Sequence, residues 1–159
     1  MSPLIPILKK EMKSIEGVHI IPLKKVLNVR GHLMEVQRKD DLLYPGFGQA
    51  YITCTMPGII KAWYRHHKQC DQIALIKGQL VLVLYDSRKD SPTRDNLLAI
   101  VITEQSPLLV QIPPEIWHGF KALGSEAMYL LHLNSEAFEF EHTDEDRLPS
   151  DTLSIPYQW

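Results

Sequence analysis

The chain has 159 residues, of which 45% are hydrophobic, and its formal net charge at pH 7 is −2. This length and composition suit one globular domain with a hydrophobic core of ordinary size. The charge shows no basic excess of the kind that favours binding to a nucleic-acid backbone, so we expect no nucleic-acid partner.

Three further features bear on cellular location. The two cysteines, Cys54 and Cys70, have no CxxC spacing and no disulfide framework, which suits a reducing compartment. Prolines interrupt the short apolar part of the N-terminal stretch MSPLIPILKKEMK, which is therefore unlike a signal peptide. Since no apolar run approaches the length of a membrane span, we expect a soluble cytoplasmic protein without a membrane partner.

The predicted elements begin after a mixed, Lys-rich stretch at residues 1–16, which we interpret as an N-terminal arm ahead of a single domain at residues 17–159. Most of that domain consists of short segments rich in Val, Ile, Leu and Tyr, such as QAYITCT, QLVLVLYD and MYLLHL. About nine such strands without a helical period predict an all-β sandwich, barrel or jelly roll. We expect Gly78 to lie at a tight hairpin turn between two of them.

The last part of the chain breaks the rhythm of the strands. The acidic stretch SEAFEFEHTDEDRLPSD predicts a helical or irregular tail. The final residues, IPYQW, carry two aromatic side chains that we expect to dock on the body of the domain.

The stretch PGIIKAWYRHHKQCDQIALIKGQL, residues 57–80, has the clearest chemical content. Side chains of a strand alternate between its two faces. We therefore expect Tyr64 and His66 to point the same way, into the interior, and His67 to point outward.

Two stretches around these residues resemble the two motifs of the cupins, which are small jelly rolls with a site inside the barrel. The spacing of Gly58, Tyr64, His66, Asp71 and Gly78 is similar to the first motif, which has His where Tyr64 stands and Glu where Asp71 stands. The stretch IPPEIWHGF is similar to the second motif and supplies a further histidine, at position 118. The resemblance implies a cupin jelly roll, the double-stranded β-helix.

A single histidine in such a pattern is more often a structural, partly buried residue than part of a site. His66 and His118 come from separate strand-like segments, and each lies in a cupin-like setting. Together they favour a functional site over two structural histidines. The histidine at position 132 shows no pattern that assigns it a role.

A longer resemblance narrows the family. The stretch YDSRKDSPT, followed by LLVQIPPEIWHGF, is similar to the D-x-R-x-x-S-P-T and I-P-x-G-x-x-H-G-F stretches of the dTDP-4-dehydrorhamnose 3,5-epimerase family. The stretches VRGHLMEV, FGQAYIT and RLPSDTLSIPYQW resemble other segments of that family. The resemblance covers the chain from about residue 17 to the C-terminus.

The resemblance implies epimerisation of a nucleotide-linked 4-keto-6-deoxy sugar without a metal or a nicotinamide cofactor. In the family a His, oriented by an Asp, removes a proton next to the ketone, and a Tyr on the opposite face returns one. The enolate that forms between these steps needs a donor to hold its charge. The family also implies a homodimer, formed by strand exchange near the N-terminal region.

Residue by residue, the resemblance assigns two groups of positions. Those that match or replace substrate-contacting residues are Arg30, Glu35, Gln49, Lys61 and His118. The position of the Asp that orients the base is occupied by Asp151.

At three positions the chain departs from the family. The catalytic His falls on Tyr64, the active-site Lys on Asp71 and the acidic Tyr on Leu131. Since His66 lies two residues after Tyr64, we expect it to act as the base. Tyr129 lies two residues before Leu131, which makes it the expected acid. Tyr64 could itself be an acid, a donor to the enolate or a ring-stacking residue.

Three functions remain open from the sequence. The first is an isomerase that inverts C3, C5 or both of a nucleotide-linked 4-keto sugar in polysaccharide biosynthesis. The second is a metal-binding cupin enzyme in which His66, Asp71, His118 and Tyr64 are candidate ligands. The third is a sugar-nucleotide binding protein that has lost its acid and base.

Overall fold

The computed structural model describes residues 14–159. Ile15 is only 3% exposed and packs in the hydrophobic core, so the globular body includes a residue that the sequence assigned to the arm. The rest of the predicted arm, residues 1–13, lies outside the described residues.

Within residues 14–159 the chain forms strands joined by turns and loops, and none of this part is a helix that could cross a bilayer. The strands are β1 (His19–Pro22), β2 (Lys25–Asn28), β3 (Gly31–Met34), β4 (Gln49–Thr55), β5 (Ile60–His66), β6 (Asp71–Lys77), β7 (Gln79–Asp86), β8 (Leu97–Thr103), β9 (Leu108–Ile112), β10 (Ile116–Leu123), β11 (Met128–Asn134) and β12 (Glu145–Arg147).

These strands form two five-stranded sheets and one separate hairpin. The first sheet has the order β1-β9-β6-β11-β4, the second has the order β12-β5-β10-β7-β8, and β2 pairs with β3. The pairings are antiparallel, and most neighbours in a sheet are distant in sequence, as in a jelly roll. The expected all-β cupin jelly roll is confirmed.

Strand β7 shows how the sequence builds two separate cores. Leu80, Leu82 and Leu84 point between the sheets into the main core, while Val83 and Tyr85 point to the outer face of the second sheet. This follows from the period of two along a strand, and it requires a cover for the outer face.

The C-terminal tail supplies that cover. Tyr157 and Trp159 contact the ring of Trp63, with ring centroids 6.2 and 4.9 Å from it, and Ile155 is buried beside them. The expectation that these aromatics dock on the body is confirmed.

The helix expected in the tail is not formed within the described residues. Residues Glu145–Arg147 instead form β12, which pairs with the edge of β5. An edge strand presents unpaired backbone groups, and a short extended segment satisfies them. Proline residues at positions 149 and 156 also disfavour a helix after β12.

The D-x-R-x-x-S-P-T stretch closes the connection between β7 and β8. The carboxylate of Asp86 is fully buried and accepts hydrogen bonds from Arg88, Ser91 and Thr93 at 2.6 to 3.0 Å. Burial opposes its ionisation, but these donors outweigh burial and hold the pKa of Asp86 well below its usual value. This family-like stretch therefore has a structural role in fixing a loop.

Gly78 forms the tight turn between β6 and β7 with a φ of 88°. A Cβ at this position would lie 3.1 Å from Cα of Met128, so a larger residue would be both strained and crowded. The expected hairpin turn is confirmed.

Candidate active site

A cavity of about 280 Å³ lies between the two sheets, away from the leucine-rich end of the core. Strands β5 and β10 of the second sheet contribute Tyr64, His66 and His118 to its wall, and strands β6 and β11 of the first sheet contribute Asp71 and His132. Polar groups from opposite sheets thus converge on one small enclosed space.

A larger polar cleft of about 810 Å³ adjoins this cavity. The two share Tyr51, His66, Glu145 and Arg147 as lining residues, so the cleft forms an entrance to the cavity. Gln49 lies in this entrance, where its Oε1 accepts a hydrogen bond of 3.0 Å from the backbone N–H of Phe138.

Three titratable side chains form a cluster at the cavity wall. Nε2 of His118 lies 2.9 Å from Oδ2 of Asp71, and Nε2 of His66 lies 3.3 Å from the same oxygen. The rings of His66 and His118 have centroids 5.9 Å apart. Asp71 is 5% exposed, so its charge is shielded from solvent and depends on these neighbours.

The electrostatics of the cluster follow from this burial. Burial opposes the ionisation of Asp71, but hydrogen bonds from His118 and His66 outweigh it and hold the pKa of Asp71 far below its usual value. Burial also lowers the pKa of His66, but the contact with Asp71 outweighs that effect, so the net pKa is raised. A charged Asp71 and a charged His66 stabilise each other.

A second layer of contacts fixes the orientation of the cluster. Nδ1 of His66 donates to the carbonyl oxygen of Asp144 at 3.0 Å, and Nδ1 of His118 donates to the carbonyl of Ile116 at 3.1 Å. A carbonyl oxygen can only accept, so Nδ1 carries a hydrogen in both rings. Both Nε2 atoms are thereby directed at Asp71.

Tyr64 lies next to this cluster on β5. Its ring centroid is 6.4 Å from that of His118, and the guanidinium carbon of Arg147 lies 5.4 Å from the centroid of the tyrosine ring. His67 points away from the cavity and contacts Glu115 at 2.6 Å. The expected orientation of Tyr64, His66 and His67 is confirmed.

The opposite wall carries His132, a residue to which the sequence assigned no role. It is 8% exposed, its Nε2 lies 3.1 Å from Oγ1 of Thr53, and its ring stacks on Tyr51 with centroids 4.4 Å apart. Burial lowers the pKa of His132 to about 4, so the imidazole is neutral near pH 7.

Tyr129 and Leu131 lie on the other face of the same strand. Tyr129 is 38% exposed outside the sheet, close to Cys54, and it does not line the cavity. The geometry therefore gives no support to Tyr129 as the acid. Along β11 the buried positions are 128, 130, 132 and 134, so the structure places His132 on the inner face.

Asp151 also lies away from the cavity. It is exposed in the C-terminal tail, near Leu153 and the docked aromatics, because the tail covers the outer face of the second sheet. The carboxylates next to Nε2 of His66 are those of Asp71, at 3.3 Å, and Glu145, at 3.9 Å.

The remaining sequence-predicted residues are divided between the cavity and the surface. Lys61 lines the cavity, where its Nζ is 3.5 Å from the carbonyl oxygen of Cys54. Arg30 is exposed in the turn between β2 and β3, and Glu35 is exposed beside Arg38. Neither Arg30 nor Glu35 lines the cavity of the single chain.

Comparisons with known proteins show which family the chain is similar to. The family model described as dTDP-4-dehydrorhamnose 3,5-epimerase matches residues 12–159. The chain is 38% identical over 150 residues to the probable low-salt glycan biosynthesis epimerase Agl13 of Haloferax volcanii, covering 93% of this chain and 96% of that protein. It is 34% identical over 145 residues to the spore coat polysaccharide biosynthesis protein SpsL of Bacillus subtilis, covering 91% and 96%.

Among solved structures, a dTDP sugar isomerase from Desulfovibrio desulfuricans is similar with a TM-score of 0.86. The sequence identity is 28%, and the match covers 91% of this chain and 92% of that one. The similarity therefore extends over the whole jelly roll that holds the cavity.

Proposed function

The chain belongs to the dTDP-4-dehydrorhamnose 3,5-epimerase family, whose members are isomerases, and from this premise we propose a substrate and a division of roles. The substrate is a nucleotide-linked 4-keto-6-deoxy sugar, and the reaction inverts C3, C5 or both. Two relatives are named for glycan and spore coat polysaccharide biosynthesis, which supports a role in making a polysaccharide. The observation that carries the proposal is the convergence of Tyr64 and His132 from opposite sheets on one enclosed cavity.

The chemistry needs groups on both faces of the sugar ring. A proton on a carbon next to a ketone is acidic because its removal gives an enolate, in which the oxygen carries the charge. A base must take that proton on one face, and an acid must return a proton on the other face. Donors near the ketone oxygen stabilise the enolate.

His66, which the sequence indicated as the base, is better placed to stabilise the enolate. Its two ring nitrogens lie 3.0 Å from the carbonyl oxygen of Asp144 and 3.3 Å from Oδ2 of Asp71. A base needs a free lone pair directed at the substrate, whereas the raised pKa of His66 favours its charged form. Together with Lys61, His66 brings positive charge to the cavity wall.

Tyr64 and His132 then transfer the protons. The imidazole of His132 is neutral near pH 7, because burial lowers its pKa to about 4, and a neutral ring has one nitrogen lone pair that can take the substrate proton. The phenol of Tyr64, on the opposite sheet, can donate one. Thr53 and Tyr51 hold the imidazole in place by a hydrogen bond and by stacking.

The entrance cleft has the volume for a nucleoside diphosphate. Gln49 offers an amide there, and Arg147 and Lys61 lie where the cleft meets the cavity or within it. A cationic side chain is favourable beside a diphosphate. The sugar would lie in the cavity beyond.

We also propose that the protein is a homodimer. The β2–β3 hairpin exposes apolar side chains, with Leu27 75% and Leu33 60% exposed in the single chain. A second copy covering this hairpin would bury them and could bring Arg30 and Glu35 to a neighbouring entrance cleft. Size-exclusion chromatography with light scattering would give the mass of a dimer for the wild type and that of a monomer for Leu27→Arg.

A cytoplasmic location is part of the same proposal. The thiols of Cys54 and Cys70 are both free, which suits a reducing compartment. Fractionation of cells that express the protein would place it in the cytoplasmic fraction, and recovery from outside that fraction would contradict the proposal.

Deuterium incorporation from heavy water tests the reaction. The protein is incubated with a panel of nucleotide-linked 4-keto-6-deoxy sugars, and the mass of the product is followed. A gain of one deuterium means exchange at one carbon, and a gain of two means exchange at both. If the protein binds these sugars but incorporates no deuterium, the proposed activity is wrong.

A further inference from the structure

Three atoms that ligate metals in proteins meet at the cavity wall: Nε2 of His66, Oδ2 of Asp71 and Nε2 of His118. All three lie within 4.8 Å of one another. We propose that these residues bind one divalent transition-metal ion, which departs from the metal-free site that the family resemblance implies.

The two separations from Oδ2 of Asp71 fit a shared ion. Zinc and similar ions bind imidazole nitrogens at about 2.0 to 2.1 Å, and carboxylate oxygens at about 2.0 to 2.2 Å. Two ligands at right angles around such an ion are therefore about 3.0 Å apart, and two tetrahedral ligands about 3.4 Å apart. The observed separations from Oδ2 of Asp71 are 2.9 Å to His118 and 3.3 Å to His66.

The surrounding hydrogen bonds prepare the two histidines as ligands. Each ring gives its Nδ1 hydrogen to a backbone carbonyl, that of Asp144 for His66 and that of Ile116 for His118. In its neutral form each ring therefore has its lone pair on Nε2, directed at Asp71. Donation of the other ring hydrogen to a carbonyl or carboxylate is the usual support of a metal-bound histidine.

Asp71 is supported in the same way. Nε2 of Gln69 donates to its Oδ1 at 2.5 Å, which leaves Oδ2 as the oxygen that faces both histidines. Among the described residues, no lysine or arginine forms an ion pair with this buried carboxylate. Metal-bound imidazoles are neutral, so a divalent ion at Oδ2 would take the place of the charged imidazole of His66 as the partner of this buried carboxylate.

The ligand set indicates the class of metal. Two imidazoles and one carboxylate suit iron, manganese, cobalt, nickel or zinc, whereas calcium and magnesium prefer oxygen ligands. Three protein ligands leave further coordination positions open, which is typical of catalytic rather than structural sites. These positions would face the cavity, since the three ligands all line it.

The open positions suggest what the ion does. A cation there would withdraw electron density from the ketone oxygen of a bound sugar and make the neighbouring proton more acidic. This role rests on the proposed function, while the binding of the metal does not.

Metal content and thermal stability test the binding without any substrate. Protein produced without a histidine tag is analysed for bound metals, and then titrated with Co²⁺ while its visible absorption is recorded. We expect about one metal ion per chain, d–d absorption bands with Co²⁺ and a rise in Tm on metal addition. Absence of stoichiometric metal, of the bands and of a rise in Tm in folded protein would overturn the proposal.

Variants locate the ion. Asp71→Asn and His118→Asn should each lose the cobalt bands and the rise in Tm, while His67→Asn, whose imidazole lies outside the cavity, should keep both. If Asp71→Asn does not fold, the cobalt spectrum of His118→Asn, compared with that of the wild type, still tests whether the cluster binds the ion. Equal cobalt spectra from the wild type and both cluster variants would also overturn the assignment.

The proposed epimerase reaction and the proposed metal site can fail separately. Deuterium incorporation in metal-free protein, with no metal bound under any condition, would exclude the ion and keep the epimerase. Stoichiometric metal without deuterium incorporation would keep the ion and exclude the reaction.

Discussion

Nε2 of His118 lies 2.9 Å from Oδ2 of Asp71, and this contact joins the two sheets across the interior of the jelly roll. His118 belongs to β10 in one sheet, and Asp71 begins β6 in the other. The contact therefore belongs both to the candidate site and to the packing of the sheets.

Replacement of Asp71 by Asn should lower the stability of the protein. The buried histidines would lose a charged partner, and loss of one member of a buried pair typically costs about 3 kcal/mol or more. Urea denaturation would measure the change. Asp146→Asn, which removes a carboxylate that is 39% exposed, is the matched control and should cost less than about 1 kcal/mol. Equal losses for the two variants would contradict a special role for Asp71.

Tyr64→Phe and His132→Asn should each reduce turnover. Loss of a positioned acid or base typically costs about 10²- to 10⁴-fold in rate. The readout is kcat for deuterium incorporation, with binding of the nucleotide sugar measured separately. Tyr129→Phe, on the outer face of the same sheet as His132, should leave kcat unchanged. A loss with Tyr129→Phe equal to that with Tyr64→Phe would contradict the assignment.

The stability of the β7–β8 loop should depend on acid pH through Asp86. Its pKa is below the usual value in the folded state, so the unfolded chain binds more protons below the ordinary aspartate pKa of about 3.9. The stabilisation is therefore complete above that pH and is lost as the pH falls toward the lower folded-state pKa.

Asp86→Asn removes this dependence and should destabilise the protein at neutral pH. Guanidinium denaturation of the wild type and the variant between pH 7 and pH 2 would show a difference in unfolding free energy that shrinks at the acid end. A difference that stays constant with pH would show that ionisation of Asp86 does not stabilise the loop.

The two cysteines should differ in reactivity. Cys54 is exposed, whereas burial, with a smaller effect from Asp71, raises the pKa of Cys70 to about 11. The thiolate is the reactive form. Near pH 8 a thiol reagent should therefore modify Cys54 rapidly in the folded protein and Cys70 only after unfolding. Cys54→Ser should abolish the rapid phase, and a rapid phase that persists in this variant would contradict the prediction.

Strand alternation correctly predicted the part of the site that β5 carries. One face of β5 lines the polar cavity, and the other packs against the tail. Because side chains alternate between the two faces of a strand, the sequence predicted that Tyr64 and His66 point the same way. His118 was found through its IPPEIWHGF setting. The jelly roll itself followed from many short strands without a helical period.

The opposite wall could not be predicted in the same way. Both faces of strand β11, MYLLHLN, carry leucines, so hydrophobicity alone does not show which face is internal. The family resemblance placed the acidic Tyr at Leu131, and a shift of one residue exchanges the two faces of a strand. That shift leads from Leu131, on the outside, to His132, inside the cavity.

The sequence named Asp71 together with its partners, but not the geometry that joins them. The sequence spacing gave a metal-binding alternative that included Asp71, His66 and His118, yet it gave no distances. Only the crossing of β6 and β10 from opposite sheets brings the three side chains together. The path of the tail, which leads Asp151 away from His66, likewise depends on tertiary packing.

The pairing of β12 with β5 has a consequence for how the protein is made. Glu145 and Arg147 line the cavity, the backbone of Asp144 holds His66, and Trp159 packs on the back of the same strand. These residues are synthesised long after β5, so a nascent chain cannot assemble the site before they have left the ribosome. A chain that stops shortly before β12 would leave the edge of β5 unpaired and exposed to other chains. Premature termination in this region should therefore yield aggregated protein rather than a partly active one.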